Sequence, residues 1–135
     1  MRVLALDVGD VRIGLAVSDP MGIIANPLET YRRQTPKKDI EYICALCKSR
    51  EVSLIVCGLP KKFNDTDSAQ TVKVREFADE LAKVMPVKLF DERLTTAAAE
   101  RVLLEGNVRR GDRKQVIDKV AATIILQNYL DTTRI

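Results

Sequence analysis

The opening of the chain constrains the fold more strongly than any other segment. Residues 2–9 and 12–19 both have the apolar or alternating composition of β-strands, and Gly9-Asp10-Val11 joins them. Antiparallel strands can be connected by so short a turn, whereas parallel strands need a long crossover. The chain is therefore predicted to begin with a β-hairpin.

The later periodicities complete a mixed α/β pattern. A third strand over residues 26–31 should lie at an edge, because Pro27 cannot donate to a central ladder. The remaining predicted elements are a helix from Pro36 to about Arg50, a strand from Val52 to Cys57, a helix capped by Ser68, a strand from Val87 to Phe90, a helix from Thr95 or Thr96 through Leu104, and a helix from Lys114 to Leu130. Strands that alternate with helices pair in parallel through crossovers. We expect one domain over residues 1–135, an α/β fold with a five-stranded mixed sheet of three antiparallel hairpin strands plus parallel crossover strands, and helices on both faces.

The chain contains no histidine. This excludes Ser-His and Cys-His nucleophile pairs, histidine general bases and histidine-ligated metals. Any hydrolytic chemistry must then depend on carboxylates, which near neutral pH act most naturally by holding hard divalent cations. Mg²⁺ or Mn²⁺ is the expected cofactor.

The cysteine count and the apolar pattern also indicate in which compartment the protein functions. Three cysteines without a secretory leader do not indicate a disulfide framework, and Cys44 and Cys47 fall inside a helical pattern as buried thiols would. The sequence lacks a basic leader and any apolar run of membrane-spanning length. We expect a cytoplasmic protein with no membrane partner.

Asp7 places a carboxylate within the apolar first strand. Desolvating a carboxylate costs several kcal/mol or more, unless a cation or a set of donors compensates. Asp7 is therefore either a structural acceptor, for example of donors in the turn from Gly9 to Arg12, or a functional acid.

Two further acids could meet Asp7. Glu92 also falls late in its strand, and the carboxyl ends of parallel strands commonly form ligand sites. Asp118 lies early in the last helix, and its neighbours at i+3, i+4 and i+7 are apolar, so it should face the protein. Three carboxylates brought together oppose folding unless divalent cations reverse the repulsion. Asp7, Glu92 and Asp118 are the predicted catalytic and metal-binding residues; the alternatives are a helix-dipole role for Asp118 and a surface pair of Glu92 with Arg93.

Basic residues concentrate in front of the last helix. Five basic and two acidic side chains lie between positions 107 and 119, a local excess of +3 that equals the net charge of the whole chain. Such a segment attracts a phosphate backbone with a salt-dependent affinity. The predicted nucleic-acid-binding residues are Arg12, Lys61, Lys62, Arg93, Arg109, Arg110, Arg113 and Lys114.

Several motifs occur together in a specific order. They are Asp7-Val8-Gly9, Arg12-Ile13-Gly14, Ala16-Val17-Ser18-Asp19, Gly58-Leu59-Pro60, Asp91-Glu92-Arg93-Leu94-Thr95-Thr96, and Lys114 through Ile117-Asp118-Lys119-Val120-Ala121-Ala122 to Ile125-Leu126-Gln127. Together they resemble the pre-16S rRNA nuclease family, which is also described as Holliday-junction-resolvase-like. The resemblance covers essentially the full chain.

This resemblance implies a ribonuclease-H-like fold and a divalent-metal nuclease that matures the 5′ end of 16S ribosomal RNA, with roles on branched DNA or in transcription. The family's acids correspond to Asp7, to Glu92 with Asp91 as the alternate, and to Asp118. A symmetric cut of a four-way junction would require a homodimer. The chain departs from the family pattern at Asp10-Val11, where a small hydroxyl residue and a lysine are usual, and at Lys62, Asn64 and Asp65, where Asn, Asp and Gly are usual.

Two other classes are compatible with parts of the sequence. Asp7-x-Gly9 followed by Gly14 also resembles the phosphate-gripping hairpin of sugar-kinase and chaperone-type ATPases, although one domain of this length cannot clamp a nucleotide alone. The two departures from the family pattern would fit a non-catalytic binding module on ribosome precursors.

Overall fold

The computed structural model describes residues 1–59, 69–91 and 113–133, with residues 113–118 described by their helical backbone. Within these ranges the elements are β1 (Arg2–Val8), β2 (Arg12–Ser18), β3 (Ala25–Arg32), α1 (Pro36–Ser49), β4 (Val52–Leu59), α2 (Ala69–Ala82), β5 (Val87–Asp91) and α3 (Arg113–Thr133). The predicted elements that fall in these ranges are confirmed, with ends within a few residues of the prediction. The Ser68 cap and the helix predicted from Thr95 or Thr96 to Leu104 lie outside the described residues.

Across these ranges the strands form one sheet in the order β3-β2-β1-β4-β5. β2 runs antiparallel to both β1 and β3, whereas β4 is parallel to β1 and β5 is parallel to β4. The predicted mixed sheet is confirmed. β1 has a hydrogen-bonded neighbour on each side, so the strand that carries Asp7 is central.

β3 is the edge strand that Pro27 predicted. Pro27 lies opposite Ala16 of β2, next to a register shift between Leu15 and Ala16. A residue without an N–H is tolerated at an edge or at a bulge, and both conditions hold here.

Two hydrophobic cores cover the sheet. Leu4, Leu6 and Val8 of β1 pack on one face with residues of α1 and α2, whereas Val3 and Ala5 pack on the other face with residues of α3. Successive side chains of a strand point to opposite faces, and the cores follow that alternation. Helices on both faces are therefore confirmed. Among the described residues, no helix combines the length and apolarity needed to cross a membrane.

α1 begins where its sequence predicts. Thr35 is the N-cap, and its side-chain oxygen accepts a hydrogen bond from the Lys38 N–H at 3.2 Å. Pro36 follows in the first turn, where its missing N–H has no intrahelical partner to lose. This capped start places Asp39 on the side of α1 that faces the sheet.

Asp39 is a fully buried acid that was not among the predicted site residues. Its carboxylate accepts hydrogen bonds from Tyr31 Oη at 2.9 Å, Arg33 Nε at 2.9 Å and the Gln34 N–H at 2.8 Å. Burial alone would raise the pKa of Asp39, but these donors and the Arg33 charge outweigh it and hold the pKa below its ordinary value of 3.8. Burial and the neighbouring carboxylate raise the pKa of Tyr31 to about 12, so its hydroxyl remains a donor.

The three cysteines are free thiols. Cys47 and Cys57 are buried and Cys44 is half-buried. Burial raises the pKa of Cys47 to about 11 and that of Cys57 to about 12. Thiols held in the protonated form are poor nucleophiles and poor metal ligands, which agrees with the expected structural role.

We expect Asp39→Asn to destabilise the fold at neutral pH by about 3 kcal/mol, because it removes one partner of a buried ion pair. A lowered folded-state pKa contributes stability above the unfolded pKa, and that contribution is lost as the pH falls through the folded value. The native chain should therefore lose stability between about pH 5 and pH 2, and the variant should lose less. Urea unfolding at a series of pH values measures both effects.

The matched control is Asp79→Asn, which makes the same chemical change at an exposed position of α2. It should stay within about 0.5 kcal/mol of the native chain. Equal stability of the Asp39 and Asp79 variants at neutral pH would contradict the structural role assigned to Asp39.

Candidate active site

Parallel pairing brings the ends of β1, β4 and β5 to one edge of the sheet. Leu6 of β1 lies beside Cys57 of β4, which lies beside Leu89 of β5. Asp7 follows Leu6 directly, and β5 ends at Asp91. Since neighbouring strands are about 4.8 Å apart, β1 and β5 are separated by roughly 10 Å. Asp7 and the end of β5 therefore share the carboxyl edge.

The alternation of β1 places Asp7 on the α3 side of the sheet. Val3 and Ala5, which precede Asp7 by four and two residues, both pack in the core beneath α3. Asp7 itself is half-buried, so it lies at the margin of that core. Its side chain is close to the protein interior and still reachable from solvent.

The length of α3 matches the distance between the two edges of the sheet. Gln127 accepts a hydrogen bond from the Ala25 N–H at 2.9 Å and donates to the Ile23 carbonyl at 3.1 Å, which fixes this part of α3 at the amino end of β1. Position 118 precedes Gln127 by a helical rise of about 13.5 Å. Asp7 lies about 13 Å along β1 from the level of Ser18 and Ala25. The two distances match, so α3 is long enough to extend from Gln127 to the level of Asp7 by position 118.

The three predicted acids are described to different extents. Asp7 is described in full, Asp118 by its helical backbone, and Glu92 lies outside the described residues. Within the described part of the chain, no group of three acids or thiols is arranged to hold a metal. Convergence of the three carboxylates stays a prediction, supported by the edge that β1 and β5 share and by the length of α3.

The alternate acid, Asp91, lies on the other face. Val87 packs against the core beneath α1 and α2, whereas Phe90 packs in the core beneath α3 and meets Tyr129 edge to face, with ring centroids 5.9 Å apart. By alternation Asp91 shares the face of Val87, opposite to Asp7. Asp91 is therefore poorly placed to be the partner of Asp7.

The donor chemistry of the edge fits a hard divalent cation. Mg²⁺ and Mn²⁺ take oxygen ligands, chiefly carboxylates and water. The Asp7 carboxylate is held on a central strand and is not sealed within either core. The carboxylate of Asp7 therefore lies where a cation can reach it from solvent.

The turn after Asp7 depends on Gly9. Its N–H donates to the Arg12 carbonyl at 2.8 Å, and a Cβ at this position would lie 2.9 Å from that carbonyl oxygen. Asp10 in the same turn is exposed and pairs with Lys73 at 3.2 Å. Asp10, one of the two residues that depart from the family pattern in this turn, thus ties the turn to α2.

The predicted nucleic-acid-binding residues fall largely outside the described ranges. Arg12 is described: it is half-buried at the start of β2, opposite Arg32 of β3. Arg113 and Lys114 belong to the first turn of α3, by backbone alone. Lys61, Lys62, Arg93, Arg109 and Arg110 lie in segments that the structure does not describe.

Several motif residues have structural roles that sequence reasoning missed. The Ser18 hydroxyl accepts from the Val3 N–H at 2.9 Å. The Asp19 carboxylate accepts from the N–H groups of Ile23 and Ile24 at 2.7 and 2.9 Å, and these hydrogen bonds lower the pKa of Asp19. An acid before Pro20-Met21-Gly22 is a turn signal that could have identified this role. Ser18, Asp19 and Gln127 thus secure the end of the sheet far from Asp7.

The architecture matches a known fold. Over 98% of this chain and 97% of that protein, the structure superposes on Thermus thermophilus RuvC solved in complex with a Holliday junction substrate, with a TM-score of 0.55 and 14% identity. It also matches the fowlpox virus Holliday junction resolvase over 99% of this chain and 100% of that chain, with a TM-score of 0.53 and 12% identity. The chain has the ribonuclease-H-like fold of these resolvases, as expected.

Sequence comparison gives the family. The chain belongs to the family described as RuvX, Holliday junction resolvase, whose model matches residues 1–132. A Clostridium novyi protein is 52% identical over 134 residues, covering 98% of this chain and 99% of the relative. A Clostridium botulinum (strain Hall) protein is 48% identical over 134 residues, covering 98% of each. Both carry the name "Putative pre-16S rRNA nuclease", so the family resemblance is confirmed, and the family is one of nucleases.

We expect Gly9→Ala to destabilise the protein by about 1 to 3 kcal/mol, because the added methyl group meets a backbone oxygen that cannot move without opening the turn. Asp10→Ala in the same turn removes one exposed ion pair and should cost less than about 1 kcal/mol. Urea unfolding of both variants measures the difference. Equal losses for the two would show that the turn tolerates a side chain at position 9.

Proposed function

We propose that this protein is a metal-dependent nuclease that hydrolyses phosphodiester bonds in structured nucleic acid, acting in 5′-end maturation of pre-16S rRNA in the cytoplasm, as one domain over residues 1–135. The observation that carries the proposal is the position of Asp7: a half-buried acid at the carboxyl edge of the parallel strands, on the face covered by α3. The family match and the names of its relatives support the same conclusion.

Asp7, Glu92 and Asp118 are the proposed ligands of Mg²⁺ or Mn²⁺. A divalent cation held there would supply Lewis-acid stabilisation of the phosphate and a lowered pKa for the attacking water. Asp7 would contribute its carboxylate from the central strand, and Asp118 would contribute from an early turn of α3. Glu92 would complete it from the end of β5, a role that Asp91 on the opposite face is poorly placed to fill.

The basic segment supplies the affinity for nucleic acid. Arg109, Arg110, Arg113 and Lys114 precede or begin α3, the helix that packs on the Asp7 side of the sheet. Phosphate contacts from such residues fix the register of a substrate without reading its sequence. Lys61, Lys62 and Arg93 follow β4 and β5, the strands that end at the same edge. Arg12 begins β2 near that edge.

A Holliday-junction resolvase is the second candidate function. The family description names that activity, and two solved resolvases share the fold. Symmetric cleavage of a four-way junction would need two copies of the site, so this candidate predicts a homodimer. Sedimentation with and without junction DNA distinguishes it from a monomeric RNA nuclease.

We expect Asp7→Asn to lower the cleavage rate of a structured precursor RNA at least about 100-fold, which corresponds to about 2.7 kcal/mol, because the amide is a weaker ligand for a hard cation. Native protein should lose activity in excess chelator and regain it with Mn²⁺. Asp79→Asn, exposed on α2, is the matched control and should cleave normally. Equal cleavage in chelator would contradict the metal mechanism.

We expect Arg109→Ala combined with Arg110→Ala to weaken RNA binding and to flatten its salt dependence, because each lost phosphate contact removes about 0.7 to 0.9 from the slope of log K against log salt. The rate with bound substrate should stay near the native value. Binding titrations between low and physiological salt measure the slope.

The matched control is Lys48→Ala with Arg50→Ala, which removes the same charge from an exposed site at the opposite edge of the sheet. An unchanged slope for the Arg109 and Arg110 variant, or an equal change in the control, would show that the segment before α3 does not contact phosphate.

A further inference from the structure

The backbone that follows Asp7 is hydrogen-bonded by residues of other elements of the fold. The Val8 carbonyl accepts from Gln70 Nε2 at 3.0 Å, and the Gly9 carbonyl accepts from Arg33 Nη1 at 2.9 Å. The Val11 carbonyl accepts from the Arg33 N–H at 2.8 Å. Three carbonyl groups within four residues of Asp7 are therefore fixed, two of them by Arg33.

Arg33 is itself tightly placed. Its Nε donates to Asp39 Oδ2 at 2.9 Å, and the two side chains are 18% and 1% exposed. Its guanidinium lies over the Phe77 ring at 4.9 Å from the centroid. Asp39 is in turn fixed by Tyr31 and by the Gln34 N–H. One planar guanidinium thus links a buried carboxylate to the Gly9 carbonyl, which a lysine ammonium cannot reproduce.

The Arg33–Asp39 pair contacts the turn from the face of the sheet opposite to Asp7. Tyr31 and Phe77 belong to the core beneath α1 and α2, whereas Asp7 projects on the α3 side. Gly9 has no side chain with which to anchor the turn, and glycine is the most flexible backbone unit. Together with the Gly9 N–H bond to Arg12 and the exposed Asp10–Lys73 pair, the carbonyl contacts hold the backbone beside Asp7 in one position.

We propose that Arg33 is a positioning residue for the reaction at Asp7: anchored by Asp39, it fixes the Gly9 carbonyl and through it the strand end that carries the Asp7 carboxylate. The inference rests on the proposed nuclease function and deepens it. Productive geometry at an active site must be held within about 0.5 Å, and a displacement of about 1 Å can lower a rate about 100-fold.

The test is Arg33→Lys. This change keeps the positive charge beside Asp39 but removes the guanidinium Nη1 that donates to the Gly9 carbonyl. We expect kcat on a structured precursor RNA to fall about 10- to 100-fold, with KM within about twofold and a higher Mn²⁺ concentration for half-maximal activity. Amide exchange at Gly9, whose N–H is bonded to the Arg12 carbonyl, should become faster; this readout needs no activity. Arg50→Lys, exposed at the opposite edge, should match the native chain in all four measurements.

A native kcat in Arg33→Lys would overturn the proposal, and so would a raised KM with unchanged kcat, since that pattern belongs to a substrate contact. If Arg33→Lys does not fold, Arg33→Gln combined with Asp39→Asn removes both charges together and should show the same loss of kcat; native kcat there is equally contrary. If the native and Arg50→Lys chains both fail to cleave, the proposed nuclease function fails, and this inference fails with it.

Discussion

The parallel pairing of β1 with β4 is the contact from which the geometry of the candidate site follows. An antiparallel β4 would send its carboxyl end, and the chain that follows it, to the edge occupied by Ser18 and Asp19. The parallel register instead sets Leu6 beside Cys57 and Cys57 beside Leu89, so that β1, β4 and β5 all end at the edge of Asp7. Crossovers of the α1 and α2 type enforce this direction. The β1–β2 hairpin, by contrast, contributes to the site only the turn that follows Asp7.

The two faces of the sheet have different roles. The core beneath α1 and α2 contains the larger side chains, and it also holds the Arg33–Asp39 pair that reaches the turn. The core beneath α3 includes small residues, Ala5, Ala16 and Ala122, which let the helix approach the sheet closely. A close α3 brings its backbone near the strand that carries Asp7. One face thus fixes the turn, and the other carries the predicted chemistry.

Local signals predicted most of the fold. Pro27 indicated an edge strand and Pro36 a helix start because each removes an N–H, a requirement that no tertiary contact can alter. The geometry of the site was harder to predict from the sequence, since it depends on the register between strands that are distant in the chain. Asp7 could be found because a charge interrupts an apolar strand. Arg33 carries no comparable signal: it follows Arg32 in a basic stretch, and its partners Gly9 and Phe77 are distant in sequence. The face of Asp91 likewise required the alternation of β5.

Asp39 shows how far burial can be used to identify a functional acid. It precedes Ile43 and Cys47 at four-residue spacing, and all three are buried, the same kind of pattern that singled out Asp118 before Ala121 and Ala122. Yet Asp39 is enclosed by three donors, and its pKa is lowered by them, as expected of a carboxylate whose partners are all protein groups. Asp7 is half-buried at the margin of a core. An apolar pattern therefore selects acids that need compensation, and exposure at a shared strand edge separates those that a substrate or cation can reach.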